Sequence, residues 1–122
     1  VCSYRFDWDE EPKVFGADLA RLLGAAHAFE IPFVFGHFDL GEQVSVIFTE
    51  DNAAGRKALA DQMMSYWAEF AYRGAPGRGR DGKLPEWPAW GLAPEDPKFL
   101  VFDTPAGGGL RTDNETWSIE SL

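Results

Sequence analysis

The segment from 52 to 73 places Leu59, Met63, Tyr66, Trp67 and Phe70 on one face of a helix. Residues three, four and seven positions apart share a side because a helix turns once in about 3.6 residues. The spacing predicts a helix over 52–73. Asp51 or Asn52 is expected to cap its start by accepting a hydrogen bond from a free backbone N–H. Gly74 is expected to take the left-handed position past its end, and Pro76 stops any continuation. Core packing is enough to explain the aromatic stripe. A face so broad needs a sheet to lie on, and that demand narrows the fold to helix-on-sheet layers.

The strands on offer are few. Val1 to Trp8 alternates, with Cys2, Tyr4, Phe6 and Trp8 on one side, which reads as a strand. Asp9-Glu10-Glu11-Pro12 ends it as a charged loop. Leu19, Leu22 and Leu23 suit a short helical turn before Gly24. Gly24 to Gly36 is mostly apolar but holds His27, Glu30 and Pro32, so a loop and then one helical turn are expected. Residues 74–98 are rich in Gly, Pro and charge and read as a long loop. Phe99 to Phe102 reads as a short strand, and Gly107-Gly108-Gly109 as a turn before Leu110 and Arg111, together an edge hairpin. The first strand has no obvious close partner. Strand and helix alike suggest that part of the core lies outside the chain.

At 122 residues the chain makes one small domain at most, and 45% apolar content excludes a disordered segment. Acidic residues outnumber basic ones by 20 to 11, with no basic cluster. A phosphate backbone or an anionic membrane surface would be repelled, so neither nucleic acid nor membrane is an expected partner. No apolar run is long enough to span a bilayer. Cys2 is the single cysteine, a free thiol or the partner of a cysteine elsewhere. The start lacks the basic and apolar regions of a signal peptide. Residue 1 is valine, which fits a start further upstream, a processed terminus or an alternative start codon.

Gly77-Arg78-Gly79-Arg80-Asp81-Gly82 matches G-x-G-x-x-G, but it follows a helix and runs into Leu84-Pro85. Dinucleotide binding needs a strand before and a helix after, so this is a flexible loop. Asn114-Glu115-Thr116 is a glycosylation sequon, a triplet common by chance. His27, Glu30 and His37 lack metal-ligand spacing, and neither a metal nor a cofactor is expected. His27 is the residue of interest. Small residues, Gly24-Ala25-Ala26 and Ala28, leave room around its ring. A catalytic base needs one edge open to a nucleophile and the other oriented by an acid. Glu30 could orient it, although a structural hydrogen bond from Glu30 to nearby backbone is the blander reading.

Gly24-Ala25-Ala26-His27-Ala28-Phe29-Glu30-Ile31-Pro32-Phe33-Val34-Phe35-Gly36 resembles the histidine segment of type-B carboxylesterases, the group that includes cholinesterases and bacterial p-nitrobenzyl esterases. Tyr4-Arg5-Phe6-Asp7 resembles the strand before that segment. Met64 to Ala71 is similar to the family's long C-terminal helix, and Pro85-Glu86-Trp87-Pro88-Ala89-Trp90 to the loop after it. Ala28 departs from the pattern, since glycine is common there. The resemblance implies an α/β fold, the C-terminal portion of an α/β-hydrolase, incomplete alone, with residues 1–122 as a segment of one domain. It implies a Ser-His-Glu mechanism on a small carboxylic ester, with His27 as the catalytic base. The serine of a G-x-S-x-G elbow, the acid and the oxyanion hole are absent from this sequence. The remainder of the esterase domain is therefore an expected partner, and the chain alone is expected to be inactive. Phe29, Phe33 and Phe38 are candidates for substrate contact that core packing explains equally well. The alternatives are a non-catalytic cholinesterase-like interaction protein and a free-standing binding module.

Overall fold

The structure, a computed structural model, describes residues 1–115. Its elements are β1 (Tyr4–Phe6), β2 (Lys13–Val14), β3 (Ala17–Asp18), α1 (Leu19–Leu22), α2 (Ile31–Phe35), α3 (Glu42–Ser45), α4 (Ala53–Arg73), β4 (Phe99–Phe102) and β5 (Arg111–Asp113). The result is a mixed α/β arrangement. Among the described residues one sheet has the order β1-β4-β5, and β2 with β3 forms a separate hairpin.

The partner that the first strand needed lies near the other end of the chain. β1 runs parallel to β4, with Tyr4 opposite Leu100 and Phe6 opposite Phe102. β4 then turns back antiparallel to β5, Val101 facing Arg111, as the glycine turn predicted. The strand expected over Val1 to Trp8 is shorter than its alternation. β4 has four residues, so only a matching length of β1 can pair, and Asp7 N–H to Phe102 O (2.9 Å) is the last rung. Beyond the ladder, Trp8 still points inward and is fully buried.

α4 matches the predicted helix, and Gly74 caps it at φ 76°. The start differs. Asn52 is the N-cap residue, but its side chain bonds no helical N–H. Its Oδ1 accepts from Thr49 N–H (3.2 Å), and its Nδ2 donates to the carbonyls of Glu10 (3.0 Å) and Ile47 (2.9 Å). Asn52 is buried, and joining three segments takes precedence there over capping one helix.

Leu59, Met63 and Tyr66 are buried as the stripe required, together with Ala60. Phe70 is not, and is more than half exposed. The reason is length. Twenty-one helical residues span about 32 Å, whereas four strand residues span about 13 Å, so the helix outruns the sheet. Phe102 sits where they overlap, with the rings of Tyr4, Tyr66, Trp67 and Trp87 between 5.3 and 5.9 Å from its own. The fully buried rings among them, Tyr66 and Phe102, each contribute roughly 1.5–3 kcal/mol by leaving water.

The loop from 74 to 98 closes the aromatic end of the core. Trp87 is buried, its indole N–H donates to Ser3 O (2.8 Å), and the Tyr66 hydroxyl donates to Pro85 O (2.5 Å). Burial pushes that hydroxyl's pKa up to about 12, so it remains a donor. Gly79, within the G-x-G-x-x-G stretch, has φ 72°, and a Cβ there would lie 2.6 Å from Ser65 Oγ. That crowding, with no strand before and no helix after, makes the stretch a fitted loop.

Candidate active site around His27

α2 anchors the histidine segment. Pro32 and Phe33 are buried, and the Phe33 ring meets Phe6 and Phe38 edge-on at 5.0 Å and Trp8 at 5.4 Å. Gly36 ends the helix at φ 62°, and a Cβ there would stand 2.8 Å from Met64 Sδ. That glycine lets α2 lie close on α4, which fixes the direction in which the preceding turn projects.

The turn itself is tight. Phe29 N–H bonds Ala26 O (3.1 Å) and Ile31 N–H bonds Ala28 O (3.2 Å). Ala28 adopts φ 70°, a left-handed conformation that accounts physically for glycine at this position. His27 is exposed beside it. Among the described residues its ring makes no hydrogen bond and no ion pair.

Glu30 does not orient that ring. No hydrogen bond joins the two, and Glu30 bonds no backbone group through its carboxylate among the described residues. It is the N-cap residue of α2, where its carbonyl accepts from Phe33 and Val34. Its charge is felt by Tyr4, whose hydroxyl is held above its ordinary pKa first by burial and then by Glu30. Phe33 is core, and Phe29 and Phe38 pack against that core half-buried, so packing accounts for all three. His37 follows α2 on the surface and lines an apolar cleft with Ala28, Ile31, Phe35 and Leu40.

His27, Glu30 and His37 are not brought together as metal ligands. The one acidic group of ligand-like spacing among the described residues is Asp9, Glu10 and Asp103, with oxygens within 4.8 Å of one another. Two of its three members already have partners. Asp103 accepts from Thr104 N–H (2.8 Å) and Arg111 (3.2 Å), and Glu10 accepts from the Thr104 hydroxyl. Burial holds the pKa of Asp103 up, against the pull of Arg111. Cys2 is exposed and free, and Asn114 is exposed while Thr116 of its sequon lies outside the described residues. Sequence reasoning missed Glu11. The sequence places it in the charged loop that ends the first strand, yet it is 5% exposed. Pattern gives no signal for this, because a charged stretch beside a proline reads as loop.

Residues 1–117 match the family described as the carboxylesterase family. The chain is 38% identical over 101 residues to the acylcarnitine hydrolase of Rattus norvegicus, covering 83% of this chain and 16% of that protein. It is 33% identical over 113 residues to carboxylesterase 5A of Mus musculus, covering 92% and 18%. Its fold is similar to the crystal structure of a Geobacillus stearothermophilus carboxylesterase, with TM-score 0.55 and 31% identity over 90% of this chain and 19% of that one. The chain thus spans less than a fifth of these relatives. A family match across nearly its whole length settles the assignment: the chain belongs to the carboxylesterase family.

Proposed function

We propose that this chain is the C-terminal segment of a single serine esterase domain, residues 1–122, and that His27 is the domain's catalytic base. The observation that carries the reading is the presentation of His27. It is exposed on a tight turn, free of structural partners among the described residues, and projected by a helix locked into the core. A structural histidine is normally satisfied by its own surroundings.

In this mechanism the His27 imidazole takes the proton of a serine hydroxyl as that oxygen attacks the ester carbonyl. It then returns the proton to the departing alcohol. The serine, the acid that holds the imidazole tautomer and the oxyanion donors come from the portion of the domain outside this chain. Small carboxylic esters are the substrates, as the family's name implies.

The test is His27→Gln in the protein at the length its gene encodes, assayed on p-nitrophenyl acetate. The expected loss in kcat is at least about 10³-fold, with KM little changed. The 122-residue chain alone should show no hydrolysis above buffer. Activity within tenfold of the parent after the substitution would remove His27 from the mechanism.

A further inference from the structure

The segment that leaves β1 carries a carboxylate with no use in the esterase reading. Glu11 is 5% exposed, and both of its carboxylate oxygens are buried without a hydrogen-bond partner. Its own amide lies near enough to favour the ionised form somewhat, short of hydrogen-bond geometry. The charges that act on it are Asp9 and Glu10, both acidic.

Among the described residues the neighbouring elements bring no compensation. At the end of β4 stands Asp103, another acid, paired with Arg111. The bases nearby in the chain are engaged elsewhere. Arg56 of α4 donates to Thr49 O (3.2 Å) and to Asn52 Oδ1, and Lys13 pairs with Asp18 (3.5 Å). Ahead of α4 come Glu50 and Asp51, both acidic and both exposed. A cation from outside cannot reach Glu11 while its oxygens are covered by the chain itself. A buried carboxyl without a partner is stable only as the neutral acid.

The same segment is tied to the histidine turn. Glu10 O is held by Asn52, and Pro12 O accepts from Leu19 N–H (3.4 Å) at the start of α1. α1 has no buried residue of its own, so these ties hold the stretch that leads to His27.

We propose that Glu11 is a proton-loaded latch: its neutral carboxyl keeps the 9–24 segment closed, and its ionisation expels the side chain and loosens the path to His27. Burial, reinforced by Asp9 and Glu10, raises its pKa from an ordinary 4.5 to about 7. The sign follows. Once the segment opens, Glu11 ionises near 4.5, whereas closed it keeps its proton to about 7. The closed form is fully favoured below 4.5, loses ground as pH rises between those values, and loses no more above 7. A difference of that size amounts to roughly 300-fold in the opening constant.

The experiment is amide hydrogen exchange of peptides within 9–24, from pH 4.5 to 8, in the protein at the length its gene encodes, corrected for intrinsic rates. The opening constant should rise on the order of 100-fold or more across this range and then level off. Glu11→Gln, neutral at every pH, should hold one opening constant throughout. Glu11→Met is a second neutral replacement should the amide be poorly tolerated. Asp9→Asn removes a negative charge that holds the Glu11 proton in place, so the parent's rise should level off at a lower pH. A parent profile flat with pH overturns the proposal. So does an unchanged rise in both neutral variants, or a profile that calcium chloride flattens, which would make the corner a cation site. His27 activity is read separately, so failure here leaves the catalytic reading standing.

Discussion

Ala28 offers a direct handle on how the backbone sets the position of His27. At φ 70° an alanine is disfavoured by about 1–2 kcal/mol relative to the right-handed region. Glycine has no such penalty, but it loses more freedom on folding, about 0.4–1 kcal/mol. Ala28→Gly should therefore stabilise the fold by roughly 0.5–1 kcal/mol. Valine, branched at Cβ, should cost about 1 kcal/mol or more beyond alanine. The assay is thermal unfolding of the protein at its encoded length, where the order Gly above Ala above Val should span a few degrees. Catalysis should follow the same geometry. If valine flattens the turn, the imidazole moves, and a displacement near 1 Å costs roughly 100-fold in kcat. The reasoning fails if valine melts with alanine, or if glycine is the least stable of the three.

Two further substitutions test the core around α4. Tyr66→Phe leaves Pro85 O without its buried donor and should cost about 1–2 kcal/mol, read as a lower urea midpoint at unchanged slope; a change under about 0.3 kcal/mol would mean that water satisfies the carbonyl. Gly79→Ala meets a left-handed φ and puts a methyl 2.6 Å from Ser65 Oγ and 2.9 Å from Leu84 Cδ1, so a loss of roughly 2–3 kcal/mol is expected; a neutral result would show the loop free to move off α4.

Much of this architecture is legible in local pattern. The long helix, the turn at α1, the one-turn helix after His27 and the β4–β5 hairpin all follow from spacing and from glycine and proline placement. What was not legible depends on partners distant in sequence or on a turn built from an untypical residue. The β2–β3 hairpin is a two-residue connection, Phe15-Gly16, in which both residues have positive φ. Phenylalanine gives no hint of such a turn, which asparagine or glycine would announce. Asn52 reads as a helix cap, and only the arrival of Glu10 turns its amide to another use. Phe70 reads as core because its spacing is right, and the short sheet leaves it outside. The turn that carries His27 was legible in its small residues and Pro32, while its orientation rests on Phe33 and Gly36 meeting residues elsewhere in the chain.

The pairing of Tyr4 with Leu100 also bears on how the segment comes to fold. Its central strand contact joins residues near opposite ends of the described chain. Closing a loop of that span carries an entropy term of roughly 4 kcal/mol before any strand contact is made. α4 can form early, because its hydrogen bonds are local, but the sheet beneath it cannot. Until β4 is synthesised, β1 has no partner within this segment, and the aromatic face of α4 stays in water. The segment should therefore fold late and slowly, and be most exposed to aggregation in the interval between helix formation and strand closure.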